Sequence, residues 1–207
     1  MAYLILIRHC MSSYNAKGLW TGWDDPSLTD EGRQQAKLAA KTLKNIAIDV
    51  AFVPPQKRSI ETLQEILAVL QKNVPITKDR AIMERNYGDF TAKNKWEVKK
   101  ELGDEEFLNL RRGWDYPIPN GESLKQVYSR VIPFYQNQIL PKLKIGKNVI
   151  LVSSGNALRS LVKLLDNIPD AQISQFEIAV GEILIYTVDE KGNVVHREKR
   201  NSQNPVP

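Results

Sequence analysis

The chain has 207 residues, 42% of them hydrophobic, with 29 lysines and arginines against 24 aspartates and glutamates, a formal charge of +5 at pH 7. That length suits one sizeable core; a single cysteine excludes an internal disulfide, and no apolar run approaches the ~20 residues of a bilayer span. The basic excess is mild, without a polybasic tail or interleaved aromatics, so it suits a small anionic ligand better than nucleic acid. The first residues lack a secretory pattern, and a cytoplasmic location is expected.

In chain order, residues 3–7 form an apolar run that predicts a buried strand, ending on Arg8-His9. Thr29 is a plausible N-cap before Asp30-Glu31, and Ala36, Ala39, Ala40 and Leu43 share one helical face. Residues 50–53 read as a second strand, followed by a helix carrying Ile60, Leu63, Leu67 and Leu70. Residues 77–121 hold turn signals around short polar helices, which predicts a cap over a site. Leu124, Val127, Tyr128 and Val131 mark a helix with a kink or break expected at Pro133. Residues 149–152 and 183–188 read as strands, with Leu158, Leu161, Val162 and Leu165 on a helix between them. A polar tail is expected after about residue 198. This alternation predicts an α/β fold, a three-layer α/β/α sandwich with a mostly parallel central sheet, as one domain over residues 1–207.

Several chemistries fail on spacing. Six residues after Cys10 stands Ala16, where a cysteine phosphatase needs arginine; Val152 occupies the first glycine position of a GxSxG elbow around Ser154. Pro141 stands where a phosphate loop ending at Gly146-Lys147 would begin with glycine. Two distant histidines and one cysteine cannot make a histidine-rich metal site, and no compact motif marks a carboxylate-dominated one, so no metal is expected. What remains is the run Leu4-Ile5-Leu6-Ile7-Arg8-His9-Cys10. It delivers an arginine and a histidine to the carboxyl end of a strand, where open α/β sheets bind ligands. A neutral imidazole can attack phosphorus and split one hard transfer into two easier ones. Such a transfer requires converging cations and donors, and Arg8, Ser12, Asn15, Thr21 and Lys57-Arg58 are candidates. A basic pair such as Lys57-Arg58 or Arg111-Arg112, taken alone, reads equally as a solvated helix face. Trp20, Trp23, Trp96 and Trp114 read as packing residues.

The Arg8-His9 run, Thr21-Gly22-Trp23, Lys57-Arg58, Glu84-Arg85-Asn86-Tyr87-Gly88, Asn94-Lys95, Arg111-Arg112 and Ser154-Gly155-Asn156 occur together in this order. In this the chain resembles the cofactor-dependent phosphoglycerate mutases of the histidine phosphatase superfamily. The resemblance implies a phosphorylated nucleophile at His9, with Arg8, Arg58, Asn15 and the Gly155 backbone around the phosphoryl group and Ser12 among the substrate-binding residues. It implies Glu84 as general acid/base, and Tyr87, Lys95, Arg111, Arg112, Asn156 and the Thr21-Gly22 turn as substrate-binding. The implied reaction interconverts 3-phosphoglycerate and 2-phosphoglycerate in glycolysis, primed by 2,3-bisphosphoglycerate without metal. The implied partner is a small phosphorylated carboxylic acid, with no nucleic acid or membrane, and a homo-oligomer stays open.

Departures from the family pattern bear on the rate. Ser154 stands where the family has a second catalytic histidine, and a neutral hydroxyl stabilises developing negative charge less well. The other histidine, His196, lies near the carboxyl end. Cys10 replaces a glycine and reads as a small buried thiol, with a redox-sensitive thiol as the alternative. Leu19 replaces a frequent arginine, Asn86 replaces a histidine, and the loop between Arg112 and Gly121 is shorter than in many mutases. A phosphatase of the same superfamily and a non-catalytic phosphate-ester binder are the alternatives to an impaired mutase.

Overall fold

The computed structural model describes residues 1–201. β1 (Ala2–Arg8) leads through a single turn of helix, α1 (Ser13–Ala16), to α2 (Asp30–Lys41). Then come β2 (Val50–Val53), α3 (Lys57–Leu70) and β3 (Ile76–Lys78). Two short helices, α4 (Lys95–Leu102) and α5 (Asp104–Arg112), precede α6 (Leu124–Phe134) and α7 (Leu140–Lys144). β4 (Val149–Ser153), α8 (Gly155–Leu165), β5 (Ile183–Val188) and β6 (Val194–Arg200) complete the described chain.

The six strands form one sheet in the order β3-β2-β4-β1-β5-β6. Strands β3, β2, β4 and β1 are mutually parallel, while β5 and β6 run antiparallel at one side. The alternation of side chains along β1 explains the three layers. Leu4 and Leu6 join a core with Leu124, Val127, Leu158 and Leu161 from α6 and α8. Ile5 and Ile7 point the other way, against Ala36, Ala39, Leu63 and Ile66 from α2 and α3. Both faces of the parallel strands are thereby covered, which is why these strands read as continuous apolar runs.

Two strands lie outside the predicted elements, and two expectations need correction. β3 and β6 carry no apolar run: all three residues of β3 are exposed, and β6 is an edge strand of alternating charge, a composition that discourages further pairing. The tail expected after residue 198 therefore begins no earlier than the end of β6 at Arg200, and residues 202–207 lie outside the described residues. Pro133 does not break its helix. The chain continues through it to Phe134, the Tyr135 N–H pairs back to the Val131 and Ile132 carbonyls, and the helix then widens into a π-helical turn over Tyr135–Ile139.

Thr29 caps α2 as its position suggests, accepting from the Gly32 N–H at 3.0 Å. Residues 80–121 build a small aromatic cluster of their own, in which Tyr87, Val98, Phe107, Leu110 and Ile118 pack on Trp20. No described helix is long and apolar enough to cross a membrane.

Candidate active site

The carboxyl ends of the adjacent strands β2, β4 and β1 converge, and each delivers part of the site. β1 ends at Arg8, and the His9 N–H continues the parallel ladder by donating to the Ser153 carbonyl at 2.8 Å. The ring of His9 is buried. Its Nδ1 lies 2.9 Å from the Cys10 carbonyl oxygen, which can only accept, so Nδ1 carries the proton and Nε2 presents a lone pair. Toward that lone pair Arg58 Nε donates at 3.2 Å. Burial, followed by the neighbouring Arg58 and Arg8 cations, holds the imidazole well below its ordinary value near 6.5. A neutral nucleophile is the result.

Arg58 opens α3 just beyond β2 and is fully buried. Its guanidinium also donates to the carbonyls of Asp24 at 2.8 Å and Gly22 at 3.0 Å, and to Ser154 Oγ at 3.4 Å. Burial pushes Arg58 down to about 10, which leaves it charged at neutral pH. Gly22 adopts a left-handed φ of +51°, and a Cβ there would meet the Tyr87 amide nitrogen at 3.1 Å, so the turn that presents its carbonyl favours glycine. Gln56 ties the same turn to the acid/base candidate: its Nε2 donates to Gly22 O and its Oε1 accepts from the Glu84 N–H, both at 3.0 Å.

Glu84 is buried, with Oε1 accepting from the Arg85 N–H at 2.7 Å and from Asn156 Nδ2 at 2.9 Å. Oε2 has no protein partner among the described residues, so one carboxylate oxygen is fixed and the other is available to a ligand. Asn156 Nδ2 also reaches Tyr87 OH at 2.9 Å, and Asn156 Oδ1 accepts from Arg159 Nη1 at 2.9 Å. Arg8, Glu84, Lys95, Arg111 and Arg112 share the wall of a cavity of about 80 Å³ with the Gly155 end of α8. A smaller adjoining cavity of about 40 Å³ has His9 and Arg58 at its base, with Asn15 and Thr21 beside them. Arg8, Trp20, Glu84, Tyr87 and Lys95 line both cavities. Burial, reinforced by the Arg111 and Arg8 cations, lowers Lys95 to about 8.

Most residues singled out in the sequence therefore meet around one space, and four do not face it, among them Lys57, which is exposed at the start of α3 and lines neither cavity. Ser12 is fully buried and builds a capping box: its Oγ accepts from the Asn15 N–H while Asn15 Oδ1 accepts from the Ser12 N–H. Gly22 contributes a carbonyl to Arg58 and Gln56, not to the cavity. Ser154, at the N-cap of α8, is buried against Arg58 instead of lining either cavity. Asn156 does line the larger cavity, but its amide is already engaged by Glu84, Tyr87 and Arg159.

His196 supplies no replacement imidazole. It pairs in register with Thr187, which pairs with Tyr3, six residues before His9; at ~3.3 Å per residue this sets it roughly 20 Å toward the far end of the sheet. Cys10 is a buried core thiol whose N–H donates to Thr62 Oγ1 at 3.0 Å, and its φ lies outside the left-handed region, so the loop does not require glycine there. Burial pushes this thiol up to about 12.

The sequence reading missed Trp20, Gln56, Arg159 and Glu177. Trp20 packs as expected, against Tyr87 and Phe107, and in addition lines both cavities; its place next to Thr21 in the site loop is the signal for that second role. Glu177 carried none, since it meets Arg111 and Arg112 from more than sixty positions away.

With Arg8 Nε buried and unpartnered and several cations around one cavity, these residues fit a ligand with more than one anionic group. Comparison with known proteins agrees. The model of the histidine phosphatase superfamily (branch 1) matches residues 4–201. A protein of Parvibaculum lavamentivorans named 2,3-bisphosphoglycerate-dependent phosphoglycerate mutase is 39% identical over 198 residues, covering 94% of each chain. One of the same name from Cytophaga hutchinsonii is 39% identical over 191 residues, 92% of this chain and 90% of its own. Among solved structures, a mycobacterial glucosyl-3-phosphoglycerate phosphatase superposes with a TM-score of 0.84 at 19% identity, over 97% of this chain and 99% of its own. A phosphoglycerate mutase from Bacillus anthracis gives 0.77 at 20% identity, over 97% and 92%. At those identities the structures speak for the fold, whereas the family match and the sequence relatives speak for descent. The chain belongs to the histidine phosphatase superfamily, branch 1, and within it to the family of the 2,3-bisphosphoglycerate-dependent phosphoglycerate mutases.

Proposed function

We propose that the protein interconverts 3-phosphoglycerate and 2-phosphoglycerate through a phosphohistidine on His9, as a cytoplasmic glycolytic enzyme. In this reading it is one domain, with the segment over residues 77–121 as a cap. The observation that carries the proposal is the bond from the His9 Nδ1–H to the Cys10 carbonyl, which leaves Nε2 unprotonated and free to attack phosphorus once Arg58 Nε turns from it to the phosphoryl oxygens. It sets a neutral nucleophile at a cavity shared with the buried carboxylate Glu84, and the adjoining cavity, which Glu84 also lines, holds the arginine pair Arg111 and Arg112. A phosphatase acting on simple esters has no need of that second cluster of cations.

The 2,3-bisphosphoglycerate cofactor, when bound, supplies the phosphoryl group that first loads His9. Arg8, Lys95 and the arginine pair are the residues that would hold its anionic groups. With His9 phosphorylated, the free hydroxyl of a bound phosphoglycerate attacks phosphorus, the P–N bond breaks, and Glu84 takes the hydroxyl proton. In the return step His9 Nε2 attacks the other phosphoryl group, the P–O bond breaks, and Glu84 gives the proton to the oxygen released. Arg8, Arg58 and the N-terminal end of α8 at Gly155 stabilise the equatorial oxygens during both steps.

Ser154 makes the transfer slow in this account. Its hydroxyl lies on Arg58, and no imidazole takes the position opposite His9. Removing one such electrostatic donor typically costs about 10²–10³ in rate. An enolase-coupled assay with and without 2,3-bisphosphoglycerate, run beside phosphate release, is the test. Mutase flux stimulated by the bisphosphate is expected. Phosphate release without flux would make the protein a phosphatase, and binding without either would make it a non-catalytic phosphate-ester binder.

A further inference from the structure

Glu177 sits in the loop between α8 and β5, on the wall of the cavity that holds Glu84 and Arg8. Its Oε1 accepts from Arg111 Nη2 at 3.0 Å and its Oε2 accepts from Arg112 Nη2, so one carboxylate bridges both arginines at the end of α5. We propose that Glu177 is a built-in competitor for the substrate's second anion, a displaceable carboxylate occupying the arginine pair until a ligand anion replaces it. The proposal rests on the reading that this pair binds the non-transferred anionic group of the substrate.

The surroundings decide which partner moves. The backbone at the end of α5 is tied down by two buried arginines. Arg85 Nη2 donates to the Leu110 carbonyl at 2.9 Å and to the Arg111 carbonyl at 3.1 Å, and Arg159 Nη2 donates to the Arg112 carbonyl at 3.0 Å. The backbone on either side of Glu177 is tied down as well, since Arg159 Nε donates to the Phe176 carbonyl at 3.0 Å and Arg8 Nη1 donates to the Ile178 carbonyl. Of the three side chains Glu177 is the shortest and the most exposed, at 44% against 33% for Arg111 and 21% for Arg112. It can rotate into water without any backbone shift, and a wider chamber of about 520 Å³ lies on the same side, lined by Arg8, Lys95, Arg111, Glu177 and Glu182.

Glu182 offers no comparable competition. Its Oε2 is held by the Ala179 N–H at 3.0 Å and by Lys199 Nζ at 2.9 Å, so the chamber's other carboxylate is neutralised in place.

A ligand that carries only a phosphate leaves the Glu177 contacts intact. One that also brings a carboxylate must break them, and so gains less from the arginines than it would from an empty pair. Glu177 thereby lowers the advantage of a doubly anionic ligand over a singly phosphorylated one.

The test is calorimetric titration of wild type, Glu177→Gln and Glu177→Ala with 3-phosphoglycerate and with glycerol 3-phosphate, which lacks the carboxylate. Partly exposed ion pairs are individually weak, so losing two of them should raise the preference for 3-phosphoglycerate over glycerol 3-phosphate by about 3- to 10-fold in both variants. A ratio that stays the same or falls in both overturns the proposal. Arg112→Met separates this from the underlying reading. If Arg112→Met weakens 3-phosphoglycerate selectively while the Glu177 variants do nothing, the competitor idea fails alone. If Arg112→Met binds both ligands as wild type does, the arginine pair is not the second-anion site and both fail.

Discussion

Arg58 Nε points at His9 Nε2 from 3.2 Å, while the opposite ring nitrogen is held by the Cys10 carbonyl at 2.9 Å. The two contacts fix the tautomer and the aim of the imidazole before any ligand arrives. The same guanidinium braces the Gly22 and Asp24 carbonyls and reaches Ser154 Oγ, so His9, the Gly22–Asp24 turn and Ser154 are tied to one planar fork. Arg58→Gln should lower kcat/KM by about 10²–10³, and Arg58→Lys should rescue little, because an ammonium cannot span those acceptors. Steady-state kinetics on both variants checks this; full activity in the lysine variant would contradict it.

Ser154 is the residue on which the rate turns. Ser154→His should raise kcat by about 10-fold or more by returning a donor opposite the nucleophile. Thermal melting alongside the assay establishes that the larger ring is accommodated against Arg58. A folded Ser154→His protein with unchanged kcat would show that Ser154 is not what slows transfer.

The pH profile should be broad on the acid side and limited on the basic side. His9 must be neutral to attack, and its protonation lies well below the ordinary 6.5, so kcat/KM should hold as pH falls from 7 through 6.5. Lys95 is charged below about 8 and neutral above it, so KM for an anionic substrate should rise as pH passes through about 8. Lys95→Arg, whose cation persists, should lose that basic limb. An unchanged limb in Lys95→Arg would assign it to another group.

Cys10 should be chemically quiet although it adjoins the nucleophile. The thiolate is the reactive form, and a buried thiol pushed up to about 12 is almost wholly protonated at neutral pH. Folded protein should therefore resist iodoacetamide and mild peroxide, with labelling appearing on unfolding in denaturant. Rapid labelling that abolishes activity in the native protein would contradict the buried-thiol account.

How much was legible in the sequence follows from what each residue has to do. Strands β1, β2, β4 and β5 announce themselves because parallel and central strands bury both faces and so need unbroken apolar runs. β3 and β6, exposed at the two edges, lack that requirement and left no such run. Arg8 and His9 were visible because charged residues directly after an apolar strand have one natural destination, and Arg58 because it opens the helix that follows β2. Ser12 and Gly22 were misread because a side chain or turn beside a catalytic residue can serve the scaffold instead of the ligand, and only the hydrogen bonds distinguish the two. Glu177 was invisible, since its meaning depends on two arginines that only the folded chain brings to it.

The most direct test of the central claim is to mix the protein with 2,3-bisphosphoglycerate, quench in alkali and locate the phosphate by peptide mass spectrometry. The account predicts an acid-labile, alkali-stable phosphoryl group on His9, absent from His9→Ala. Phosphate on another residue, or a His9 that stays unmodified while the protein turns substrate over, would contradict it.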